Sequence, residues 1–258
     1  MHNNSPIGIF DSGIGGTSIW SAIHNLLPEE KTIYLADSKN APYGQKSKED
    51  IIKLCYKNTD LLLRMGCKLI VVACNTATTN AIQELRSKYT IPFIGIEPAI
   101  KPAATNSRTQ TIGILATQGT LNSELFHKTA EKFNETKIIE QVGHGIVQLI
   151  ENGQIDSPEM TQLLQSYLMP MIEANIDYLV LGCSHYPYLI PQIKKIIPEN
   201  IQIIDSGEAV AKQTRNILNE KVGFSIAKKT EPIFYTNTNP KVLSEILENK
   251  YVVIEKDF

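Results

Sequence analysis

Two cysteines in this chain sit where sulfur chemistry is expected. Cys74 follows the run Leu69-Ile70-Val71-Val72-Ala73, and Cys183 follows Tyr178-Leu179-Val180-Leu181-Gly182. Polar residues able to open a helix come next in both places, Asn75-Thr76-Ala77-Thr78-Thr79 and Ser184-His185-Tyr186-Pro187. A helix N-terminus stabilises a thiolate, so a lowered thiol pKa is expected at each. A free cysteine is often only a small buried hydrophobe. That reading suits Cys55 and Cys67, on or beside an amphipathic helix. A pair at matching strand ends has three further options. A disulfide conflicts with a reducing cytoplasm. A zinc site wants three or four ligands, and only His185 lies near either cysteine. Proton transfer to opposite faces of one carbon, thiolate as base and thiol as acid, uses both sulfurs equally and inverts a stereocentre.

The elements that must position these thiols alternate regularly. Short apolar runs predict strands over 7–10, 32–36, 68–73, 93–96, 111–115, 137–140, 178–181 and 201–204. Amphipathic spacing predicts helices over 48–65, 76–88, 121–133 and 158–174. Ser47 with Asp50 reads as a capping box, and Ser157-Pro158 as a cap with proline at the first helical position. Strand–helix alternation implies βαβ units and parallel sheets. An internal repeat sharpens this. Gly8 matches Gly113 at an offset of 105, Cys74 matches Cys183 at 109, and Glu97 matches Asp205 at 108. Any βαβ protein shows some echoes, but three in order at nearly one offset suggest two similar halves. The expected fold is α/β: two similar parallel-sheet domains related by pseudo-two-fold symmetry, with the active site in the cleft between them. The first domain is expected to comprise 1–97 plus 211–258, and the second 98–210. After 211, helical and short strand patterns lack a repeat partner.

Ligands of open α/β sheets bind beyond the carboxyl ends of the strands. Asp11-Ser12-Gly13-Ile14-Gly15-Gly16-Thr17 lies at such an end and opens a helix, so its N–H groups can hold an anion. Asp11 also reads as a simple helix cap. Asn40-Ala41-Pro42-Tyr43-Gly44 is a turn, either ordinary or part of the site. Glu151, before Asn152-Gly153, also reads as a solvated helix end.

Composition excludes several classes. The chain has 258 residues, 42% hydrophobic and 20% charged, as in a soluble globular protein. Lys+Arg of 25 against Asp+Glu of 27 leaves a net charge of −2 without a basic cluster, so neither a nucleic-acid nor a membrane partner is expected. The longest apolar runs, 69–73 and 178–181, are too short to span a bilayer. The start, Met1-His2-Asn3-Asn4-Ser5-Pro6, lacks the pattern of a signal peptide. Four cysteines with no CxxC pair do not make a disulfide scaffold. A cytoplasmic protein is expected.

Four motifs together carry a family resemblance: Asp11-Ser12-Gly13-Ile14-Gly15-Gly16, Pro42-Tyr43-Gly44, Ala73-Cys74-Asn75-Thr76-Ala77 and Gly182-Cys183-Ser184-His185-Tyr186-Pro187. In this order, to about Gly207, they resemble the cofactor-independent aspartate/glutamate racemase family. The resemblance implies interconversion of L- and D-glutamate without pyridoxal phosphate or a metal, with D-glutamate entering peptidoglycan, and a homodimer. It implies that Cys74 deprotonates the D-enantiomer and Cys183 the L-enantiomer. Asp11 and His185 then support the proton transfers, and Glu151 assists near Cys183. Asp11, Ser12, Pro42, Tyr43, Gly44, Asn75, Thr76, Thr117, Ser184 and His185 become the substrate-binding set. No Arg or Lys falls in these motifs, so hydroxyls and N–H groups are expected to recognise the carboxylates. His185-Tyr186-Pro187 favours glutamate, since aspartate racemases of the family tend to carry Glu after the Cys-Ser/Thr pair. Two departures stand out. Ser184 replaces the family's Thr, and Gly143-His144-Gly145 replaces its Cys-Pro, where His144 reads as a structural or surface residue. Two rival readings remain. Ile9-Phe10-Asp11-Ser12-Gly13 and Ile204-Asp205-Ser206-Gly207 suggest the phosphate motifs of an actin-like ATPase. Facing α/β halves also suit a non-catalytic amino-acid-binding module.

Overall fold

A parallel strand in the middle of a sheet is covered on both faces, so it reads as a continuous apolar run. Strands β1 (Ile7–Asp11) and β3 (Leu69–Val72) are of this kind, buried at every position. The computed structural model describes residues 3–226 and 231–258. Met1 and His2, part of the start read above as lacking a signal pattern, lie outside them. The remaining strands are β2 (Thr32–Ala36), β4 (Phe93–Gly95), β5 (Thr111–Ala116), β6 (Lys137–Val142), β7 (Tyr178–Gly182), β8 (Gln202–Ile204), β9 (Ile233–Thr236) and β10 (Val253–Glu255).

Among the described residues all strand pairs are parallel and form two sheets, ordered β10-β9-β2-β1-β3-β4 and β6-β5-β7-β8. The internal repeat is visible in these orders. Strands β2-β1-β3-β4 and β6-β5-β7-β8 are the same arrangement, with Gly8 opposite Ile70 in one and Gly113 opposite Leu179 in the other. The fold is two similar parallel α/β halves. Strands β9 and β10 have no counterpart in the second sheet and extend the first beyond β2. They are four and three residues long and lie in the segment after 211 whose short strand patterns lack a repeat partner.

Helices α1 (Thr17–Leu26), α2 (Lys48–Arg64) and α3 (Asn75–Lys88) cover the first sheet. Ser47 Oγ accepts from Asp50 N–H at 3.2 Å and donates to the Asp50 carboxylate at 2.9 Å, closing a reciprocal cap. Ser157 caps helix Pro158–Glu173 through Met160 N–H. The helix expected over 121–133 is broken. Helix Gln118–Leu121 ends at Asn122, and Ser123 starts helix Glu124–Ala130 by accepting from Phe126 N–H. Ser123 bonds the backbone locally and so competes with helix continuation. One apolar cluster runs from Ile9 and Ile19 through Leu149 and Ile150 to Leu181 and Tyr186, so the halves share packing. Among the described residues no helix is long and apolar enough to cross a membrane.

A buried ion pair ties the margins of the first sheet together. Lys68 Nζ lies 2.7 Å from Glu30 Oε2 and donates to the carbonyls of Asn3 and Gly223. Glu30 Oε1 accepts from Ser225 N–H at 2.7 Å. Removing one partner leaves a buried charge uncompensated. Lys68→Met is therefore expected to destabilise the fold by about 3–5 kcal/mol and lower Tm by about 10 °C. Adding Glu30→Leu should restore much of that loss in the same thermal melts. A double variant no more stable than the single one would refute the account.

Candidate active site

The repeat places both thiols at equivalent strand ends. Cys74 follows β3, Cys183 follows β7, and both line one cavity. Its other walls are Ser12, Pro42, Tyr43, Gly44, Asn75, Thr76, Thr117, Val147, Ser184 and His185. Its free volume is about 10 Å³, room for about one water molecule. Cys74 and Cys183 are 4% and 6% exposed.

The two sulfurs have different neighbours. Cys74 is the N-cap of α3, its Sγ accepting from Ala77 N–H at 3.4 Å, and its thiol faces Ser12 Oγ at 3.6 Å. The lowering expected at the helix end is supplied by the Ala77 N–H bond but is outweighed. Burial, reinforced by the charge of Asp11, pushes this thiol up. Cys183 opens no α-helix, because a 3₁₀ turn over Tyr186–Leu189 follows it. Its neighbour is the His185 ring, with Nδ1 3.8 Å from Sγ. Burial disfavours a charged ring there. Hydrogen bonds to Cys183 and Glu151, with their charges, outweigh that and hold His185 well above the ordinary histidine range. Cys55 and Cys67 are buried, and burial pushes both thiols up, Cys67 to about 12.

Behind each sulfur stands a carboxylate. Glu151 is no solvated helix end: His185 Nε2 lies 2.6 Å from its Oε1, and that oxygen accepts from Ile14 N–H at 2.7 Å. The glycine-rich loop therefore does hold an anion, but the anion belongs to the protein. Asp11 does not cap α1, whose N-cap is Gly16. Its carboxylate accepts from Gly13 N–H at 2.7 Å, from Ser12 Oγ at 3.3 Å and, across the cleft, from Ser184 Oγ at 2.8 Å. Full burial raises Asp11 to about 6; the His185 charge and the bonds from Ser184 and Gly13 oppose that shift without cancelling it.

The remaining walls are polar without being charged. Thr76 and Thr117 hydroxyls lie 2.7 Å apart across the cleft, and Thr117 donates to Thr120. Tyr43 Oη donates to Asp37 at 2.5 Å. Among the described residues neither the Nδ2 nor the Oδ1 of Asn75 has a partner, although both are buried. Such a side chain costs about 1–3 kcal/mol unless a ligand pairs with it. Sequence reasoning missed Val147, Thr120 and Ser38, whose hydroxyl donates to Glu151 Oε2 at 2.9 Å. Val147 was within reach, since it lies four residues before Glu151 on one helix face. Nothing local marks Ser38.

The Asp/Glu/hydantoin racemase family model matches residues 13–214. The chain belongs to that family. It is 47% identical over 209 residues to the glutamate racemase of Ralstonia pickettii, covering 81% of this chain and 74% of that one. Its fold is similar to the crystal structure of glutamate racemase isoform RacE1 from Bacillus anthracis, at 31% identity and a TM-score of 0.89, covering 100% and 99% of the two chains. It is also similar to Escherichia coli glutamate racemase in complex with L-glutamate and an activator, at 33% identity and a TM-score of 0.87, covering 98% of each. Within this family the altered segment keeps a structural part here. Tyr186 Oη donates to Gly143 O and Tyr167 Oη to His144 O, while His144 itself is exposed.

The Asp11 shift has a stability consequence of definite sign. The folded protein takes up this proton as pH falls through about 6, the unfolded chain only near 3.8. Between those values the native state binds more protons, so this group adds stability as pH falls. Asp11→Asn does not titrate. Relative to that variant, the wild type should gain about 3 kcal/mol of unfolding free energy between about pH 7.5 and about pH 4. Urea unfolding of both proteins across that range measures it. A constant difference would mean that Asp11 titrates in the ordinary range.

Proposed function

We propose that the protein interconverts L- and D-glutamate by a cofactor-independent, two-thiol proton transfer at the α-carbon. One observation carries the reading: two thiols from equivalent ends of repeated halves line one buried cavity. A thiolate on one side takes the α-proton, forming S–H and leaving the electron pair on carbon. The opposing thiol gives its proton to the other face and becomes the thiolate. The stereocentre inverts, and the thiols exchange protonation states. By the family resemblance Cys74 faces the D-enantiomer's proton and Cys183 the L-enantiomer's.

The α-proton is only weakly acidic, so the site must stabilise a carbanion-like state by preorganised hydrogen bonds. Hydroxyls of Ser12, Thr76, Thr117 and Ser184, the Asn75 amide and the backbone around Pro42, Tyr43 and Gly44 are the donors we assign to substrate. Asp11 stands behind the Cys74 side through Ser12. Glu151 stands behind the Cys183 side through His185. Glutamate as substrate is supported by the similar Escherichia coli enzyme, which was solved with L-glutamate. The same reading gives a supply of D-glutamate for peptidoglycan. It places the enzyme in the cytoplasm, where thiols stay reduced, as a homodimer that sedimentation would register. It also divides the chain into 1–97 plus 211–258 and 98–210, supported by the membership of the two sheets.

Circular dichroism of L-glutamate with the protein in D₂O, with no added cofactor, tests the reading. The signal should decay to zero as deuterium enters the α-carbon, while L-aspartate run beside it stays unchanged. Cys74→Ala and Cys183→Ala should each lower racemisation by at least about 100-fold with unchanged far-ultraviolet spectra. Full racemisation by either variant would exclude the two-thiol mechanism.

A further inference from the structure

Glu151 belongs to the second half, yet two of its three polar partners among the described residues come from the first. Ile14 N–H donates to Oε1 at 2.7 Å and Ser38 Oγ donates to Oε2 at 2.9 Å. The third partner, His185, is the residue beside Cys183. Glu151 ends the short helix Ile146–Glu151, and Val147 on that helix is a wall of the thiol cavity. That cavity, about 10 Å³ in free volume, is too small for an amino acid. A second cavity adjoins it and shares Pro42, Gly44, Thr117 and Val147. A substrate moving between the two must displace Val147 or part the halves at this wall. Moving the helix, or parting the halves, draws Glu151 away from Ile14 and Ser38.

We propose that Ser38 is a positioning residue. Together with the Ile14 amide it latches Glu151 across the cleft, which holds the wall bearing Val147 shut and His185 aimed at Cys183 while the proton moves. Ser38 is itself well anchored. It begins a 3₁₀ turn directly after Asp37, a buried carboxylate that accepts from Tyr43 Oη, Lys57 Nζ and Asn237 Nδ2. Ser38 lines neither thiol nor cavity, so its loss perturbs closure and leaves the reacting groups in place. A carboxylate at Glu151 alone, acting only through His185, would need no partner in the other half.

The proposal rests on the racemase reading for its kinetic part, so the experiment has a readout independent of turnover. Iodoacetamide labelling of the folded protein, followed by mass spectrometry, gives a rate for each cysteine. In Ser38→Ala, Cys74 and Cys183 should label about tenfold faster, the loss expected for one hydrogen bond to a charged group, with Cys55 and Cys67 as unchanged references. Racemisation kcat/KM should fall by about the same factor in both directions. Ser38→Thr keeps the hydroxyl and should match the wild type in both measurements. Unaltered labelling at Cys74 and Cys183 in Ser38→Ala overturns the latch, whatever the kinetics do. A wild type that does not racemise, with the labelling response present, defeats the racemase reading and leaves the latch standing.

Discussion

The two halves meet where a side chain would not fit. A Cβ on Gly13 would lie 1.9 Å from Glu151 Oε1, and one on Gly15 would lie 2.2 Å from His185 Nδ1. With only hydrogen there, the first-half loop approaches closely enough for Ile14 N–H to reach the Glu151 carboxylate. The rest of the site depends on that approach. It brings Ser184 within 2.8 Å of Asp11 and lets Thr17 and Tyr188 hydroxyls pair at 2.5 Å. A side chain at Gly13 would force Glu151 to shift, and one at Gly15 would force His185 to shift.

Such a close meeting buries charge, and buried charge must be compensated. Glu151 is compensated by two amide- or hydroxyl-type donors and an imidazolium. Asp37 is compensated by Lys57 and by amide and hydroxyl donors. Asp11, among the described residues, has only neutral donors in direct contact, with the His185 charge further away, and burial drives it up to about 6. The fold therefore tolerates an unfavourable charge beside Cys74. A carboxylate that resists ionisation next to a thiol that resists ionisation is a poor arrangement for stability. It is a reasonable one for a site whose task is to pass protons.

The outline of this arrangement could be read from residue order. Continuous apolar runs ending in a small residue and a cysteine marked β3 and β7, and the near-constant offset of Gly8, Cys74 and Glu97 from their partners anticipated two sheets with one strand order. Ser47 and Ser157 caps were equally legible, because a cap is local. What escaped depended on competing or non-local interactions. Ser123 interrupts a helix by a hydrogen bond that competes with it. The thiol of Cys74 was expected to fall in pKa from its place at a helix end, an inference that ignores depth. Burial outweighs the helix dipole there. Ser38 meets a residue more than a hundred positions away, and no pattern in its own neighbourhood reveals that.

The arms behind the two sulfurs are unequal, and thermodynamics limits what that inequality can do. Enantiomers have equal free energy, so the reaction's equilibrium constant is one, and kcat/KM must be the same from either side. Under the two-thiol reading, the contrast between a hydroxyl–carboxyl arm and an imidazole–carboxylate arm cannot favour a direction at low substrate. It can only divide each kcat/KM differently between kcat and KM. Burial pushes the Cys74 thiol up, which favours the form that gives a proton over the form that takes one. Each turnover leaves the thiols in the opposite states. Before the same enantiomer can react again, a proton must leave one buried sulfur and reach the other through the cleft or through solvent. The closed wall that protects the carbanion also slows that reset, so an enzyme of this design has to open between turnovers for its protons as well as for its product.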